Sequence, residues 1–204
     1  MKNVKAHNWA ILTTGWGRNA YDLIKEFKNN KLNNHTIALL IYEAEPCGAA
    51  EIAKEIGIRT LRIERKRFKD SEAYQIEICE KLKEFDIDFI FLLNYKYIVK
   101  EPLLSTFENK ILNIHPSLLP SFKGTKTAIQ DALAYGVKIT GITTHYVSEE
   151  LDGGTIIDQT AISVSFDDTF ESLYPKFSVE GLALIKRSIY IVENEYNQSE
   201  RTSA

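Results

Sequence analysis

Short apolar runs alternate with amphipathic stretches through the first half of the chain. Trp9 to Thr13, Thr36 to Tyr42, Thr60 to Ile63 and Asp86 to Leu93 read as strands, with Ile111 to Ile114 as a short fifth. Between them, Asn19 to Asn29 spaces Ala20, Leu23, Ile24 and Phe27 along one helical face. Cys47 to Ile56 reads as a helix stopped by Gly57. Asp70 to Phe85 reads as a longer helix, capped by Ser71 and turning Ile76, Ile78, Cys79 and Leu82 inward. Strand–helix–strand units of this length imply parallel strands joined by right-handed crossovers. Near-continuous apolar strands are those covered on both faces.

The pattern changes after residue 124. Thr125 to Tyr135 reads as a helix. Lys138 to Val147 and Thr155 to Val164 are strands rich in β-branched residues, and the short link between them predicts an antiparallel pair. Asp168 to Glu193 predicts a long last helix. The expected fold is α/β: a Rossmann-like, doubly wound, mostly parallel sheet with helices on both faces, extended by the antiparallel pair and the final helix. One domain is expected over residues 1–196, with 197–204 a polar, disordered tail.

Composition narrows the function classes. The chain has 204 residues, 44% of them hydrophobic and 26% charged, so it can bury a full core without staples. A net charge of −3 argues against a nucleic-acid partner. The two cysteines, Cys47 and Cys79, have no metal or redox spacing and read as buried thiols of a cytoplasmic protein. No apolar run is long enough for a membrane span or a signal-peptide core. No grouping of His, Cys and carboxylates has metal-ligand spacing, so no metal is expected.

Three constellations carry chemistry. Thr14-Gly15-Trp16-Gly17-Arg18-Asn19 joins the first strand to the first helix, where glycines let backbone N–H groups approach an anion. It lacks the third glycine of a dinucleotide fingerprint and the Gly-Lys-Ser/Thr of a Walker loop, and it also fits an ordinary tight turn. In Asn113-Ile114-His115-Pro116-Ser117-Leu118-Leu119-Pro120, Asn113 and His115 lie two apart at a strand end and share one side. Such an Asn stabilises an oxyanion and such a His moves protons, although a structural histidine fits as well. Leu151-Asp152-Gly153-Gly154 offers a carboxylate that could fix the protonation of His115, or simply a turn. His145, in mid-strand, reads as packing or loop support. The basic run Arg62 to Lys69 reads as a solvated face, with help for a phosphate as its second reading.

Together the Asn113–Pro120 block, Phe122-Lys123-Gly124, Gly141-Ile142-Thr143-Thr144-His145-Tyr146-Val147 and Leu151–Gly154 resemble the folate-dependent formyltransferases, most closely the glycinamide ribonucleotide branch. The resemblance runs from about Trp9 to Glu193. It implies formyl transfer from 10-formyltetrahydrofolate, as co-substrate, to the amine of glycinamide ribonucleotide in purine biosynthesis. It implies an Asn–His–Asp trio of Asn113, His115 and Asp152, the first two stabilising a tetrahedral oxyanion and the third assisting proton relay. Gly17, Arg18 and Asn19 would hold the acceptor phosphate, with Pro116 and Glu180 also on the ribonucleotide. Folate would lie along Tyr95, Lys96, Tyr97, Ile98 and Val99 and along Val147, Glu150 and Leu151. The implied partners are a folate and a phosphorylated or nucleotide-linked amine, with no nucleic acid and no membrane; a homodimer is allowed.

The acceptor side departs from the family pattern. Arg18 stands where serine is usual, Asn94 where glycine is usual, Lys96-Tyr97 where a Met-Arg pair is usual, and Ser71 where an arginine is common. Thr125 to Ile129 replaces a His-rich stretch. Lys96 or the run near Arg65 is expected to supply the missing phosphate charge. An amino-sugar N-formyltransferase and a non-catalytic folate- or phosphometabolite-binding protein are the alternatives.

Overall fold

The strands form where side chains pack best on a sheet covered from both sides. In the computed structural model, which describes residues 7–29 and 35–202, the described strands are β1 (His7–Thr13), β2 (His35–Tyr42), β3 (Arg59–Arg62), β4 (Phe89–Leu92), β5 (Ile111–His115), β6 (Ile139–Tyr146) and β7 (Ile156–Ser163). They run in one sheet in the order β3-β2-β1-β4-β5-β6-β7. β1 is parallel to β2 and to β4, and β2 is parallel to β3, whereas β6 and β7 are antiparallel. The fold class is the expected one. By contact density the chain divides into two compact units, Met1–Leu112 and Asn113–Ala204.

In the first unit, Trp9, Ala10, Ile11 and Leu12 of β1 and Phe89, Ile90 and Phe91 of β4 are buried almost completely. Trp9 stacks on Phe89 at 4.9 Å between centroids. The helices α1 (Arg18–Asn29), α2 (Gly48–Glu55), α3 (Ser71–Glu84) and the short α4 (Leu103–Thr106) belong to this unit. α1 buries Ala20, Leu23 and Ile24. In α3 the buried face is Tyr74, Gln75, Ile78, Cys79 and Leu82, and Ile76, expected inward, is 41% exposed. It lies two positions from Tyr74 and Ile78, half a helical turn away from their face. The cap is Asp70 rather than Ser71: its Oδ1 accepts from the Ala73 N–H at 2.8 Å. Cys47 and Cys79 are buried free thiols, as expected.

The second unit is built on the β6–β7 pair, α5 (Ala128–Tyr135) and α6 (Phe170–Thr202). Ile129, Ile142, Ile162, Val164, Leu173, Phe177 and Leu184 form its core, with Ile114, Leu133, Val137 and Phe170 packed around it. Helix α5 starts three residues later than expected, because Thr125 and Thr127 turn their hydroxyls to Asp131 at 2.5 and 3.1 Å. α6 continues through residue 202, so residues 197–202, expected as a disordered tail, extend the helix; residues 203 and 204 lie outside the described residues.

Candidate active site

The candidate catalytic groups sit at the end of β5 and in the loop between β6 and β7. Asn113 and His115 share one side of β5, and the chain then enters the proline-bounded turn Pro116–Pro120. That turn is fixed to β6. Thr143 Oγ1 donates to the Ser117 carbonyl at 2.7 Å and accepts from the Leu119 N–H at 3.0 Å. Gln159 Nε2 adds bonds to the Leu119 carbonyl and to Thr143 Oγ1. In the β6–β7 loop, a Cβ on Gly154 would lie 1.8 Å from the Tyr146 carbonyl oxygen, so only glycine lets the loop fold back against β6. Asp152 adopts φ 50, a conformation Asp tolerates better than most residues.

This local folding brings Asn113, His115 and Asp152 together. Asp152 Oδ2 lies 3.3 Å from His115 Nδ1 and accepts from the Gly124 N–H at 3.1 Å. Asp152 Oδ1 receives Asn113 Nδ2 at 3.5 Å. His115 Nε2 donates to the Phe122 carbonyl at 3.0 Å. His145 completes the group: its Nε2 lies 3.3 Å from Asn113 Nδ2 and 3.6 Å from Asp152 Oδ1. Its Nδ1 donates to the Tyr146 carbonyl at 2.9 Å, which makes Nε2 the acceptor for Asn113 in the neutral ring.

The electrostatics are those of a carboxylate kept charged. Burial alone would raise the Asp152 carboxyl, but His145, the charge of a protonated His115 and the Gly124 N–H outweigh it and hold the carboxyl below its ordinary value. The His145 contribution needs a proton on Nε2 and so competes with the Asn113 contact. Both candidate oxyanion donors are engaged internally: Asn113 Nδ2 on His145 and Asp152, His115 Nε2 on Phe122. Any acceptor that bound these donors would have to replace those partners.

The other expected site residues fall into two groups. In the second unit, Val147, Glu150 and Leu151 lie in the β6–β7 loop beside Asp152, with Glu150 bound to Lys123 Nζ at 2.6 Å. Pro116 follows His115 directly. Glu180 lies partly buried on α6, and among the described residues no hydrogen bond joins it to the trio. In the first unit, Gly17 precedes α1, Arg18 and Asn19 begin it, and Tyr95 to Val99 follow β4. Gln75 anchors that second segment by donating to the Ile98 carbonyl at 3.1 Å and accepting from the Lys100 N–H at 2.7 Å. Burial raises the Tyr95 and Tyr74 hydroxyls, Tyr74 to about 12. Lys96, expected to supply phosphate charge, is paired with Glu43 at 2.8 Å. The basic run is likewise turned inward: Arg62, Lys66 and Arg67 converge on the buried Glu64.

Residues 7–189 match the formyl transferase family. The chain belongs to that family. It is 34% identical to the phosphoribosylglycinamide formyltransferase of Bacillus subtilis over 80–85% of both proteins, 81% of this chain and 84% of the relative. It is 38% identical to the trifunctional purine biosynthetic protein adenosine-3 of Bos taurus over 80% of this chain, a match that spans only 16% of that protein. Among solved structures, the phosphoribosylglycinamide formyltransferase of Bacillus halodurans superposes with a TM-score of 0.82 at 37% identity, covering 92% of this chain and 94% of the other.

Within this formyl transferase chain, three contributors to the site were not legible from spacing. His145 reads in sequence as loop support, yet it lies within 3.6 Å of both Asn113 and Asp152. The signal for it was its place six residues before Leu151, at the end of the strand that leads into the loop. The Phe122 carbonyl and the Gly124 N–H are backbone groups and leave no side-chain signature. Among the described residues no group of three or more His, Cys, Asp or Glu is arranged to hold a metal ion, and no helix is long and apolar enough to cross a membrane.

Proposed function

We propose that the chain is a cytoplasmic enzyme, a single catalytic domain over residues 1–196, that transfers a formyl group from 10-formyltetrahydrofolate to the primary amine of glycinamide ribonucleotide. The observation that carries this reading is the mutual approach of Asn113, His115 and Asp152, within 3.5 Å along the chain of contacts, in a member of the formyl transferase family. The acceptor rests on relatives named for phosphoribosylglycinamide formyl transfer.

In this reading the amine nitrogen attacks the formyl carbon, a C–N bond forms and the carbonyl electrons move onto oxygen. Asn113 Nδ2–H and His115 Nε2–H leave their internal partners and donate to that oxyanion. Asp152, ionised and hydrogen-bonded, holds His115 in the orientation and charge state for donation. It also receives the amine proton through water for delivery to folate N10. The C–N10 bond then breaks, giving the formylated amine and tetrahydrofolate. The carbonyl is polarised by side chains alone, and the reading needs no metal.

Substrate positions follow the same reading. Gly17, Arg18 and Asn19 hold the acceptor phosphate at the start of α1, and Pro116 and Glu180 face the ribonucleotide. The folate lies along Tyr95–Val99 and along Val147, Glu150 and Leu151. Ile98 of the first unit and Leu151 of the second are each an exposed apolar side chain, at 55% and 52%.

The test is an absorbance assay of folate turnover with glycinamide ribonucleotide and, in parallel, nucleotide-linked amino sugars. The expected kcat/KM with the ribonucleotide is about 10⁴ M⁻¹s⁻¹ or higher. Turnover with amino sugars alone would move the acceptor assignment, and no turnover with any amine would overturn formyl transfer.

A further inference from the structure

Asn94 follows β4 in a left-handed conformation, φ 59. Its backbone carbonyl accepts from the Thr14 N–H at 3.1 Å and from the Thr14 hydroxyl at 2.7 Å. The Thr14 hydroxyl accepts in turn from the Lys96 N–H at 3.2 Å. These bonds fix the Asn94 backbone against the β1–α1 turn. They deliver its side chain to one specific group: Asn94 Oδ1 accepts from the Asn19 N–H at 2.7 Å. Asn19 is the second residue of α1, so this N–H is one of the donors a helix start leaves without an intrahelical partner.

The same turn carries a second, independent feature. The Thr13 hydroxyl is 1% exposed and has no hydrogen-bond partner. It lies 2.8 Å from the place a Cβ on Gly17 would occupy. A buried donor without a partner thus points into the backbone turn that the proposed function assigns to the acceptor phosphate. Positive charge near that turn is also balanced internally, Arg18 Nε by Asp22 at 2.7 Å and Lys96 by Glu43 at 2.8 Å.

We propose that Asn94 is a specificity-determining residue that stands in for an anion at the Asn19 N–H, so that an acceptor group binds this turn only by displacing the Asn94 amide. A neutral hydroxyl is no better an acceptor than the amide oxygen and gains nothing by the exchange. A dianionic phosphomonoester gains charge-assisted hydrogen bonds at a helix start and displaces it. The turn therefore selects phosphomonoesters over neutral ribosides, at the cost of some phosphate affinity. This inference rests on the reading of Gly17, Arg18 and Asn19 as the acceptor-phosphate turn.

The experiment is calorimetric titration of the full chain with ribose 5-phosphate, in wild type, Asn94→Gly, Asn94→Asp and Arg18→Glu, each checked by its melting curve. Asn94→Gly removes the competitor and suits the positive φ; it is expected to tighten binding about two- to tenfold, the worth of one neutral hydrogen bond. Asn94→Asp keeps the shape and adds a competing charge, and is expected to weaken binding about tenfold or more. With glycinamide ribonucleotide as substrate, Asn94→Gly lowers KM and leaves kcat unchanged, which a merely structural role would not do. If Arg18→Glu weakens binding while Asn94→Gly leaves it unchanged or weaker, the turn holds the phosphate but Asn94 does not guard it, and this inference is overturned alone. If no variant at Arg18 or Asn94 alters binding, or none binds, the phosphate-turn reading falls and this inference with it.

Discussion

Asp152 shows how one residue ties the site together. One oxygen faces His115 Nδ1 and the Gly124 N–H, and the other faces Asn113. Replacing it by Asn preserves the shape and the tolerance for φ 50 but removes the charge that orders His115. Asn113→Ala removes the proposed oxyanion donor, and in steady-state turnover it is expected to lower kcat by about 100- to 1,000-fold while the folate Kd stays within about threefold. The Asn–His pair was legible because two residues apart on a strand share a face. His145 was not, because its part depends on which ring nitrogen is tied to the Tyr146 carbonyl, a contact that sequence spacing does not encode.

At the scale of elements, the site depends on the β5 turn being held to β6. Thr143 bonds Ser117, Leu119 and Gln159 through one buried hydroxyl. Thr143→Val keeps the shape and takes the hydroxyl from the Ser117 carbonyl and the Leu119 N–H, so it is expected to cost about 2–4 kcal/mol in denaturant unfolding. It should also lower kcat by shifting His115. Gly154→Ala places a methyl against the Tyr146 carbonyl; turnover should fall by about tenfold or more as Asp152 moves, since even small misplacements of reacting groups are costly. The strands and most helices were legible from periodicity alone, because their apolar runs are long and their faces clean. The start of α5 was not, since Thr125 and Thr127 bond Asp131 in a turn that helix propensity does not reveal. The end of α6 was missed for the opposite reason: its polar last turns carry no apolar stripe to mark them as helix.

For the whole molecule, acid should loosen the fold through carboxylates that folding keeps charged. The Ser172 hydroxyl, the Ser165 N–H and Lys176 hold Asp168 at about 2, against an ordinary value of 3.8. Its contribution is complete above pH 3.8 and is lost as pH falls toward 2. Asp152 acts in the same direction. Melting curves should therefore show Tm falling from pH 4 to pH 2, with a shallower fall in Asp168→Asn. The overall sheet was legible in the alternation of strands and helices. The central claim is that Asn113, His115 and Asp152 perform formyl transfer. It is tested most directly by single-turnover consumption of 10-formyltetrahydrofolate with excess glycinamide ribonucleotide, in wild type and Asp152→Asn, with the folate Kd measured alongside. The account predicts turnover by the wild type and a rate about 100- to 1,000-fold lower in Asp152→Asn, at a folate Kd within about threefold. Wild-type turnover unchanged in Asp152→Asn, or no consumption by the wild type, would contradict it.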